Sequence, residues 1–313
     1  MIVAVTFAAD AHLPPVREAL ARRGEPLLVV DLAEVHDRWR LELGDDPAGW
    51  ALVAPEPRQR PRRLDAKTVR AVWWRRLSPV GVAAGLGPAD AAFARAQYQA
   101  ALGAFWRGAR IRMVDDPAAV AEAELKPLQL VRARAAGLAV APTLVTDDPA
   151  RARAFLRRHR QAIHKPLHGL ADEHLTRPVT RETLDALDAV RSAPVIFQRF
   201  VSGVDVRVTA VGDRLFGCAI DARRTASPHD FRPVFRSAPV RPCAVPRPVA
   251  ASIRALLGGY PLSYAALDFR RAADGTWTFL ELNPAGQWLG FAERTGQPVA
   301  EALAEHLLGA PLA

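Results

Sequence analysis

Short apolar runs alternate with amphipathic segments along the first third of the chain. The run IVAVTF at 2–7 precedes helical spacing over 12–23, which Gly24 ends, and the apolar run PLLVVDL at 26–32 follows. Apolar runs of this length predict strands that are buried on both faces. Two further strands and an alanine-rich helix are predicted at 51–54, 69–74 and about 88–107. The pattern favours a parallel α/β layer covered by helices.

Two more regions follow, with boundaries near Asp115 and Ala193. The predicted domains are therefore 1–114, 115–192 and 193–313. In the central one, helices are predicted across 117–136 and at about 148–158, with strands at about 142–145 and 162–165. In the last, strands are predicted at 194–200, on both sides of the turn Gly212-Asp213, and at about 263–271 and 276–282. The last two would form a hairpin.

The chemistry that the sequence shows most clearly lies in this closing hairpin. Asp274-Gly275 is a two-residue turn signal between apolar, alternating runs. A hairpin centred there places Asp268 directly across from Glu281, and Asn283 on the same face as Glu281. Facing carboxylates repel each other unless a positive charge lies between them. Two carboxylates and an amide oxygen fit a Mg²⁺ site that holds nucleotide phosphates. The alternative is a solvent-facing pair screened by arginines such as Arg270.

The charge balance adds a second observation. The chain has 42 lysine and arginine residues, a net charge of +9 and 7% aromatic residues. Nucleic-acid binding would use such a charge, but the arginines are spread along the chain and no series of aromatic residues offers stacking. Arginine also binds carboxylates with a planar fork, so an acidic small molecule or peptide is an equal candidate. A solvated, arginine-rich surface explains most of the excess without any partner.

Only three of those 42 residues are lysines, at 67, 126 and 165. Lys126 is at the head of a predicted helix, and Lys165 ends the predicted strand AIHK before Pro166. A compact ammonium at such places suits a phosphate oxygen. Each lysine could also be a chance surface residue, and Lys67 is assigned to that alternative.

An extended segment at 194–208 is interrupted at Ser202-Gly203. Its unpaired backbone groups could meet an adenine edge, and Asp205 could accept from ribose hydroxyls; a simple bulge is the alternative. Cys218 and Cys243 are the only thiols and predict neither a disulfide framework nor a cysteine metal site. No stretch has the apolar length of a membrane span, and the N-terminus lacks a signal-peptide pattern, so a cytosolic protein is expected.

Several of these segments together resemble the ATP-grasp ligases. They are KPLQL at 126–130, HKPL at 164–167, QRFV at 198–201, DVRVTAVGDR at 205–214, LDF at 267–269 and FLELNPAGQW at 279–288. The closing segment, AVWWRRLSPV at 71–80 and DFR at 230–232 resemble the graspetide maturases, microviridin-type enzymes that cyclise ribosomally made peptides. The resemblance implies an α/β ATP-grasp fold, in which a parallel α/β domain precedes two α+β subdomains that sandwich ATP.

The resemblance also implies roles for single residues. ATP and Mg²⁺ would be the cofactors: Lys126 and Lys165 hold phosphates, the backbone of Arg199 and Val201 meets adenine beside Gln198, and Asp205 takes the ribose. Asp268, Glu281 and Asn283 would bind Mg²⁺. Arg75, Arg76 and Asp230 would contact the substrate, although internal ion pairs are the alternative for the arginines.

In two places the sequence departs from the ATP-grasp pattern. Many of these ligases have an arginine two positions before the metal aspartate, where this chain has Ala266. Arg207, Arg223 or Arg232 could take that catalytic role. The phosphate lid is poor in glycine, with Gly169 alone, and the histidines there, such as His174, are read as surface residues.

The resemblance implies that the enzyme activates Asp or Glu side chains of an acidic precursor peptide, with leader and core, as acyl phosphates and closes ω-ester or ω-amide rings. A homodimer is expected, without nucleic acid or membrane. The alternatives are a ligase that adds a free amino acid to a protein or metabolite, a nucleic-acid-binding α/β protein and an inactive leader-binding module.

Overall fold

The protein is described by a computed structural model over residues 1–55, 61–168 and 175–309. Gly169 and His174 of the predicted lid lie outside these residues. The helices are α1 (Leu13–Ala21), α2 (Val35–Arg38), α3 (Pro88–Gly108), α4 (Pro117–Ala123), α5 (Lys126–Ala135), α6 (Pro149–Arg158), α7 (Arg181–Asp185), α8 (Arg247–Gly259), α9 (Leu289–Thr295) and α10 (Val299–Leu307). None of these helices, within the described ranges, combines the length and apolarity that a membrane crossing needs.

The strands of the first half are β1 (Ile2–Val5), β2 (Leu27–Val30), β3 (Arg40–Glu42), β4 (Ala51–Ala54), β5 (Arg62–Leu64), β6 (Ala71–Trp74), β7 (Met113–Val114), β8 (Ala139–Val140) and β9 (Thr143–Thr146). Those of the second half are β10 (Ala162–Lys165), β11 (Arg177–Pro178), β12 (Val195–Arg199), β13 (Val204–Val211), β14 (Arg214–Ile220), β15 (Val240–Cys243), β16 (Tyr264–Arg271) and β17 (Trp277–Asn283). The fold is α/β, as predicted.

The chain divides into two compact units. The first contains Met1–Val120, Leu262–Tyr264 and Pro298–Ala313, and the second contains Ala121–Pro261 and Ala265–Gln297. The division into three domains stays a prediction. Helix α10 belongs to the first unit, where Arg23 of the segment after α1 pairs with Glu301 at 2.6 Å and with Glu305 at 2.9 Å.

A parallel sheet in the order β2-β1-β6-β7 forms the centre of the first unit. Its strands are fully apolar, and Val3, Val5 and Val72 are completely buried. The prediction that residues 51–54 join this layer is wrong, because β4 pairs antiparallel with β3 and β5 in a separate three-stranded sheet. The connections on both sides of β4 are too short for the helical crossover that parallel pairing needs.

Arg75 follows β6 and is held inside the first unit. Its Nε donates to Asp10 Oδ2 at 2.5 Å, and its guanidinium lies 5.2 Å from the centre of the Trp73 ring. Asp10 also contacts His12 Nδ1 at 2.8 Å. The internal ion pair that was the alternative for Arg75 is therefore present. Arg76 is exposed and lies over the Phe7 ring. Substrate contact by either arginine stays a prediction.

Two sheets form the second unit. One is antiparallel in the order β11-β10-β12-β9, and the other has the order β15-β14-β13-β16-β17-β8, in which β8 pairs parallel with β17. Helix α6 covers the smaller sheet through Ala152 and Leu156, which pack with Phe197 of β12. The strand break before Asp205 is present, and β13 begins directly after Gly203.

The hairpin of β16 and β17 has the predicted register at its open end, where Asp268 faces Glu281. The predicted two-residue turn is wrong. Ala272 N–H donates to Thr276 O, so the loop has three residues, and Gly275 has a φ of +86°. A bulge at Leu280 then shifts the pairing by one residue, since Phe269 faces Phe279. The longer loop and the bulge compensate each other.

Gly203 is packed against backbone. A Cβ there would lie 2.3 Å from the carbonyl oxygen of Arg271, whereas a Cβ at Gly258 of α8 would meet nothing within 4 Å. We expect Gly203→Ala to lower the free energy of unfolding by about 2 kcal/mol through overpacking. The control Gly258→Ala should raise it by about 0.5 kcal/mol, because a helical glycine loses more backbone entropy on folding than alanine. Urea titration of both variants measures this, and equal shifts would contradict the packing argument.

Candidate active site

The predicted acid pair is present on one face of the β16–β17 hairpin. Asp268 and Glu281 face each other, and Asn283 Nδ2 donates to Glu281 Oε1 at 3.2 Å and lies 3.5 Å from Asp268 Oδ2. The three side chains that the sequence predicted as metal ligands are therefore together. The apolar neighbours of these three residues along the two strands, Phe269, Phe279 and Leu282, are buried in the core.

Arg207 lies beside this pair, because β13 is the neighbour of β16 in the sheet. Its Nη1 donates to both carboxylate oxygens of Asp268 at 3.1 Å. The space that it fills depends on two small residues: a Cβ at Gly286 would lie 2.4 Å from Ala266 Cβ and 3.0 Å from Arg207 Nη2. An arginine reaches Asp268 from the neighbouring strand while Ala266 occupies the position where the family pattern has one.

Lys126 and Lys165 also meet the acid pair. Lys126 Nζ is 3.3 Å from Glu281 Oε2, and both side chains are about three-quarters buried. Lys165, at the end of β10, lies near both acids and Lys126. Burial and the charge of Lys126 lower the pKa of Lys165, while the charges of Glu281 and Asp268 act to raise it. Two of the three lysines of the chain thus lie around the same carboxylates, and phosphate binding by them stays a prediction.

Gln129 fixes the position of Lys126, and the sequence analysis gave it no role. Its Nε2 donates to the carbonyl of Leu282 at 2.8 Å, and its Oε1 accepts from the Leu282 N–H at 2.9 Å. Leu282 lies between Glu281 and Asn283 on β17. A buried amide pair of this kind ties the start of α5 to the strand that carries the acids. In the sequence, a polar residue three positions after Lys126, on a helix face that packs inward, could have indicated this role of Gln129.

The other two candidate arginines differ in location. Arg232 pairs with the buried Asp230 through Nε at 2.9 Å, and its charge acts on both Asp268 and Glu281. Asp230 also accepts from Thr176 N–H at 3.1 Å, so its carboxylate orients Arg232. Arg223 instead pairs with Asp221 on the surface. Substrate contact by Asp230 stays a prediction.

A pocket next to Lys165 contains the residues that were predicted to meet adenine. Its lining is Ile163, Lys165, Thr176, Gln198, Arg199, Phe200, Val201, His229, Arg270 and Leu280. The amide of Gln198 donates to Thr143 Oγ1 at 2.8 Å and is held in place. The rings of Phe200 and His229 pack against each other at a tilt, with centres 4.6 Å apart, and give the pocket an aromatic side.

The backbone at the end of β12 has an open acceptor. Arg199 N–H donates to the carbonyl of Pro142 at 2.9 Å. In an antiparallel ladder the N–H and C=O of one residue point to the same neighbour. Proline has no N–H to return, so the Arg199 carbonyl lacks a ladder partner on that side. Two residues on, no hydrogen bond from the Val201 N–H to the described part of the chain is found. An acceptor and a donor in this spacing match one edge of adenine.

Asp205 has an internal partner. Arg270 Nε donates to its Oδ1 at 2.9 Å, and Arg270 also donates to the carbonyls of Pro228 and His229. Burial raises the pKa of Asp205 to about 7, although Arg270 opposes the rise. Ribose binding by Asp205 stays a prediction. In the structure its carboxylate anchors the arginine that holds the 228–230 segment against the pocket.

The two acids differ in their affinity for protons. Burial raises the pKa of Asp268 to about 6, with Glu281 adding to the rise and Arg207 opposing it. Burial also acts to raise the pKa of Glu281, but Lys165, Lys126 and the hydrogen bond from Asn283 outweigh it and lower the pKa to about 2. The raised pKa of Asp268 shows that a second negative charge beside Glu281 is unfavourable. A bound cation would remove this cost, because an opposite charge stabilises both ionised carboxylates.

The donor set fits Mg²⁺. Within the described ranges no cluster of three or more His, Cys, Asp or Glu side chains is gathered for a metal. Two carboxylates and one amide are what Mg²⁺ uses when phosphate oxygens and water complete its shell. Half a turn of the Asn283 amide would present its oxygen to the same point. Metal binding by these three residues stays a prediction that their convergence supports.

Comparisons with known proteins identify the fold. No protein-family model matches the chain, and no curated protein does. Among solved structures, the macrocyclase MdnC from Microcystis aeruginosa MRC, bound with the precursor peptide MdnA, is 24% identical over 99% of both chains with a TM-score of 0.85. The ATP-grasp ligase PsnB, complexed with a phosphomimetic variant of its minimal precursor, Mg and ADP, is 26% identical over 98% of this chain and 97% of its own, with a TM-score of 0.80.

A third similar structure is a Chryseobacterium gregarium RiPP-associated ATP-grasp ligase in complex with ADP and a leader and core peptide. It is 21% identical over 98% of this chain and 96% of its own, with a TM-score of 0.86. The protein therefore has the fold of the ATP-grasp ligases. Within that class it is similar along its whole length to a macrocyclase and to ligases complexed with precursor or with leader and core peptides, which confirms the resemblance seen in its motifs.

Proposed function

We propose that the protein is an ATP-dependent ligase that closes macrocycles in an acidic ribosomal precursor peptide. The observation that carries this proposal is the convergence of Lys126, Lys165, Asp268, Glu281 and Asn283 beside a pocket whose backbone edge matches adenine. The whole-chain likeness to PsnB and MdnC, which are complexed with precursor peptides, supports the substrate class. Because ATP and newly made peptide are available there, we also propose a cytoplasmic location.

The basic residues would bind and orient ATP. Lys165 lies both in the pocket lining and next to Glu281, so it can reach from the nucleotide to the phosphates. Lys126 approaches the same acids from α5. Lysine ammonium groups serve here as compact charges on phosphate oxygens. The Arg199 carbonyl and the Val201 N–H would accept from and donate to the adenine edge.

Asp268, Glu281 and Asn283 would hold Mg²⁺, which when bound neutralises charge on the phosphates and orients them. Arg207 keeps Asp268 in place, and Arg232 supplies a further positive charge that acts on Asp268 and Glu281. Fixed charges of this kind stabilise the negative charge that develops in the transition state. Catalysis by this chain is therefore mainly positioning and electrostatics.

The reaction has two balanced steps. A carboxylate oxygen of a peptide Asp or Glu attacks the γ-phosphorus of ATP, and the bond to the β-γ bridging oxygen breaks, which gives an acyl phosphate and ADP. A Ser or Thr hydroxyl, or a Lys amine, then attacks the acyl carbon. Phosphate leaves, and the attacking group loses its proton. The product is an ω-ester or ω-amide ring, with one water lost from the peptide for each ring.

The test is to incubate the enzyme with ATP, Mg²⁺ and an acidic peptide encoded beside its gene, and to measure the peptide mass. We expect a loss of one water per ring and one ADP per water lost. Omission of ATP is the control. ADP release with an unchanged peptide mass, together with transfer to an added free amino acid, would contradict macrocyclisation and support the simpler ligase. Peptide binding without any ADP release would support an inactive leader-binding module.

A further inference from the structure

The side-chain amide of Gln198 is bound at one end and open at the other. Gln198 is 1% exposed, and its Nε2 donates to Thr143 Oγ1 at 2.8 Å. Within the part of the chain that the structure describes, no donor reaches its Oε1. A buried amide oxygen is nearly always hydrogen-bonded in a folded protein. The open oxygen of Gln198 therefore indicates a donor that a ligand supplies.

The amide lies on the pocket side of the smaller sheet of the second unit. In the antiparallel ladder Gln198 pairs with Ile163 and with Thr143, so the side chains of these three residues share one face. Gln198 and Ile163 both line the pocket. The preceding residue, Phe197, packs with α6 on the opposite face. Because Nε2 is bound to Thr143, Oε1 is the polar side-chain atom that Gln198 offers to a ligand.

Thr143 determines which end of the amide is bound. A threonine hydroxyl has one hydrogen, and Thr143 donates it to the carbonyl of Ala141 at 2.8 Å. Ala141 is 2% exposed, so its carbonyl depends on this hydrogen bond. The hydroxyl oxygen can then accept from the Gln198 NH₂ but cannot donate to the Gln198 oxygen. Turning the amide round would place two oxygens against each other, which is unfavourable for buried groups.

The pocket therefore contains two open acceptors on neighbouring residues of β12. One is the Gln198 Oε1, and the other is the Arg199 carbonyl, which lacks a ladder partner. A ligand that satisfies both brings two hydrogens to the same end of the pocket. The amino group of adenine has two hydrogens, whereas guanine has an acceptor oxygen at the same position. The donor that the adjacent ring nitrogen of adenine needs is the Val201 N–H.

We propose that Thr143 is a positioning residue for nucleotide recognition. Its hydroxyl holds the Gln198 amide so that Oε1 accepts the second hydrogen of the adenine amino group. This assignment rests on the proposed ATP site and adds the residue that makes the pocket selective for a purine with that amino group. It does not depend on the peptide substrate or on ring closure.

Calorimetric titration in the presence of Mg²⁺ tests this role, with ATP and with purine riboside 5′-triphosphate, which is ATP without the amino group. The wild type should bind ATP at least about 100-fold more tightly, because the analogue leaves two buried acceptors unpaired. Thr143→Val keeps the shape of the side chain and removes the hydroxyl, so the amide is free to turn. The ratio of the two affinities should then fall about 10-fold. Thr143→Ser keeps the hydroxyl and should keep the ratio.

Two further variants separate amide orientation from packing. Thr146→Val makes the same change on β9 at a residue of the opposite face, which pairs with Val195, and its ratio should equal that of the wild type. Gln198→Met has no amide, so its ratio should already be low, and adding Thr143→Val should not lower it further. A loss of stability would weaken the binding of both nucleotides equally and leave the ratio unchanged. Thr143→Ala, which also lacks the hydroxyl, gives a second measurement.

The outcomes are distinguishable from those that test the proposed function. A ratio that keeps its wild-type value in Thr143→Val and Thr143→Ala would overturn the role of Thr143 alone, even if ATP binding and ring closure are normal. A ratio that Thr143→Val lowers to the same extent in the Gln198→Met background would do so as well. Absence of ATP binding by the wild type would overturn the ATP site together with this role.

Discussion

Replacing Asp268 by asparagine is expected to lower the rate of ATP-dependent ring closure at least about 1,000-fold, which corresponds to about 4 kcal/mol of transition-state stabilisation. The asparagine can still accept from Arg207, so the packing around it should survive. It loses the charge that a divalent cation needs, and Glu281 alone would remain as a charged ligand. ADP release in a coupled assay measures the rate, and far-ultraviolet circular dichroism checks the fold.

Asp274→Asn is the matched control, because it makes the same change in the exposed loop of the same hairpin. Its Oδ1 accepts from the Thr276 N–H at 2.9 Å, which an asparagine can still satisfy. Activity should therefore stay at the wild-type level. Normal ATP turnover in Asp268→Asn would show that the metal assignment is wrong.

Replacing Arg207 by methionine is expected to lower the free energy of unfolding by about 3 kcal/mol, because it leaves a buried carboxylate without its partner. The side chains of Arg207 and Asp268 are 10% and 12% exposed, so water does little to compensate. Activity should fall as well, since Asp268 then faces Glu281 with less opposing charge. Urea titration and the ADP assay measure the two effects.

The double variant Arg207→Met/Asp268→Asn separates the ion pair from simple packing. If the cost comes from the unpaired carboxylate, the double variant should be more stable than Arg207→Met alone, because the carboxylate that lost its partner is removed as well. Equal instability of the single and double variants would mean that Arg207 acts through its contact with the Phe291 ring, which lies 5.0 Å from its guanidinium carbon.

The hairpin shows how far the sequence determines the site. Alternating side chains and the Asp274-Gly275 signal correctly place Asp268 opposite Glu281. The turn is nevertheless one residue longer than predicted, and the bulge at Leu280 restores the register. Apolar packing of Phe279 fixes the face of each residue, so a slip by one residue would turn the acids towards the apolar packing surface. The register is therefore more predictable than the turn that produces it.

The choice among the candidate arginines could not be made from the sequence. Arg207 is 61 residues from Asp268 in the chain, and it becomes a neighbour only because β13 lies next to β16. Sheet order of this kind depends on long-range pairing. The same limit applies to Pro142, whose missing N–H matters only because β9 lies beside the end of β12. Gly286 packs directly against Ala266 and beside the Arg207 guanidinium, which leaves no room for a Cβ at Gly286.

The scarcity of lysine has a practical consequence for chemical labelling. Two of the three lysines lie beside the same carboxylates, and burial with the nearby charge of Lys126 lowers the pKa of Lys165. A lowered pKa leaves more of the amine unprotonated, and the unprotonated amine is the form that acylating reagents attack. An amine-directed reagent that distinguishes lysine from arginine therefore has three lysines and the N-terminal amine as targets in this chain, and two of these lysines lie beside the carboxylates of the candidate site.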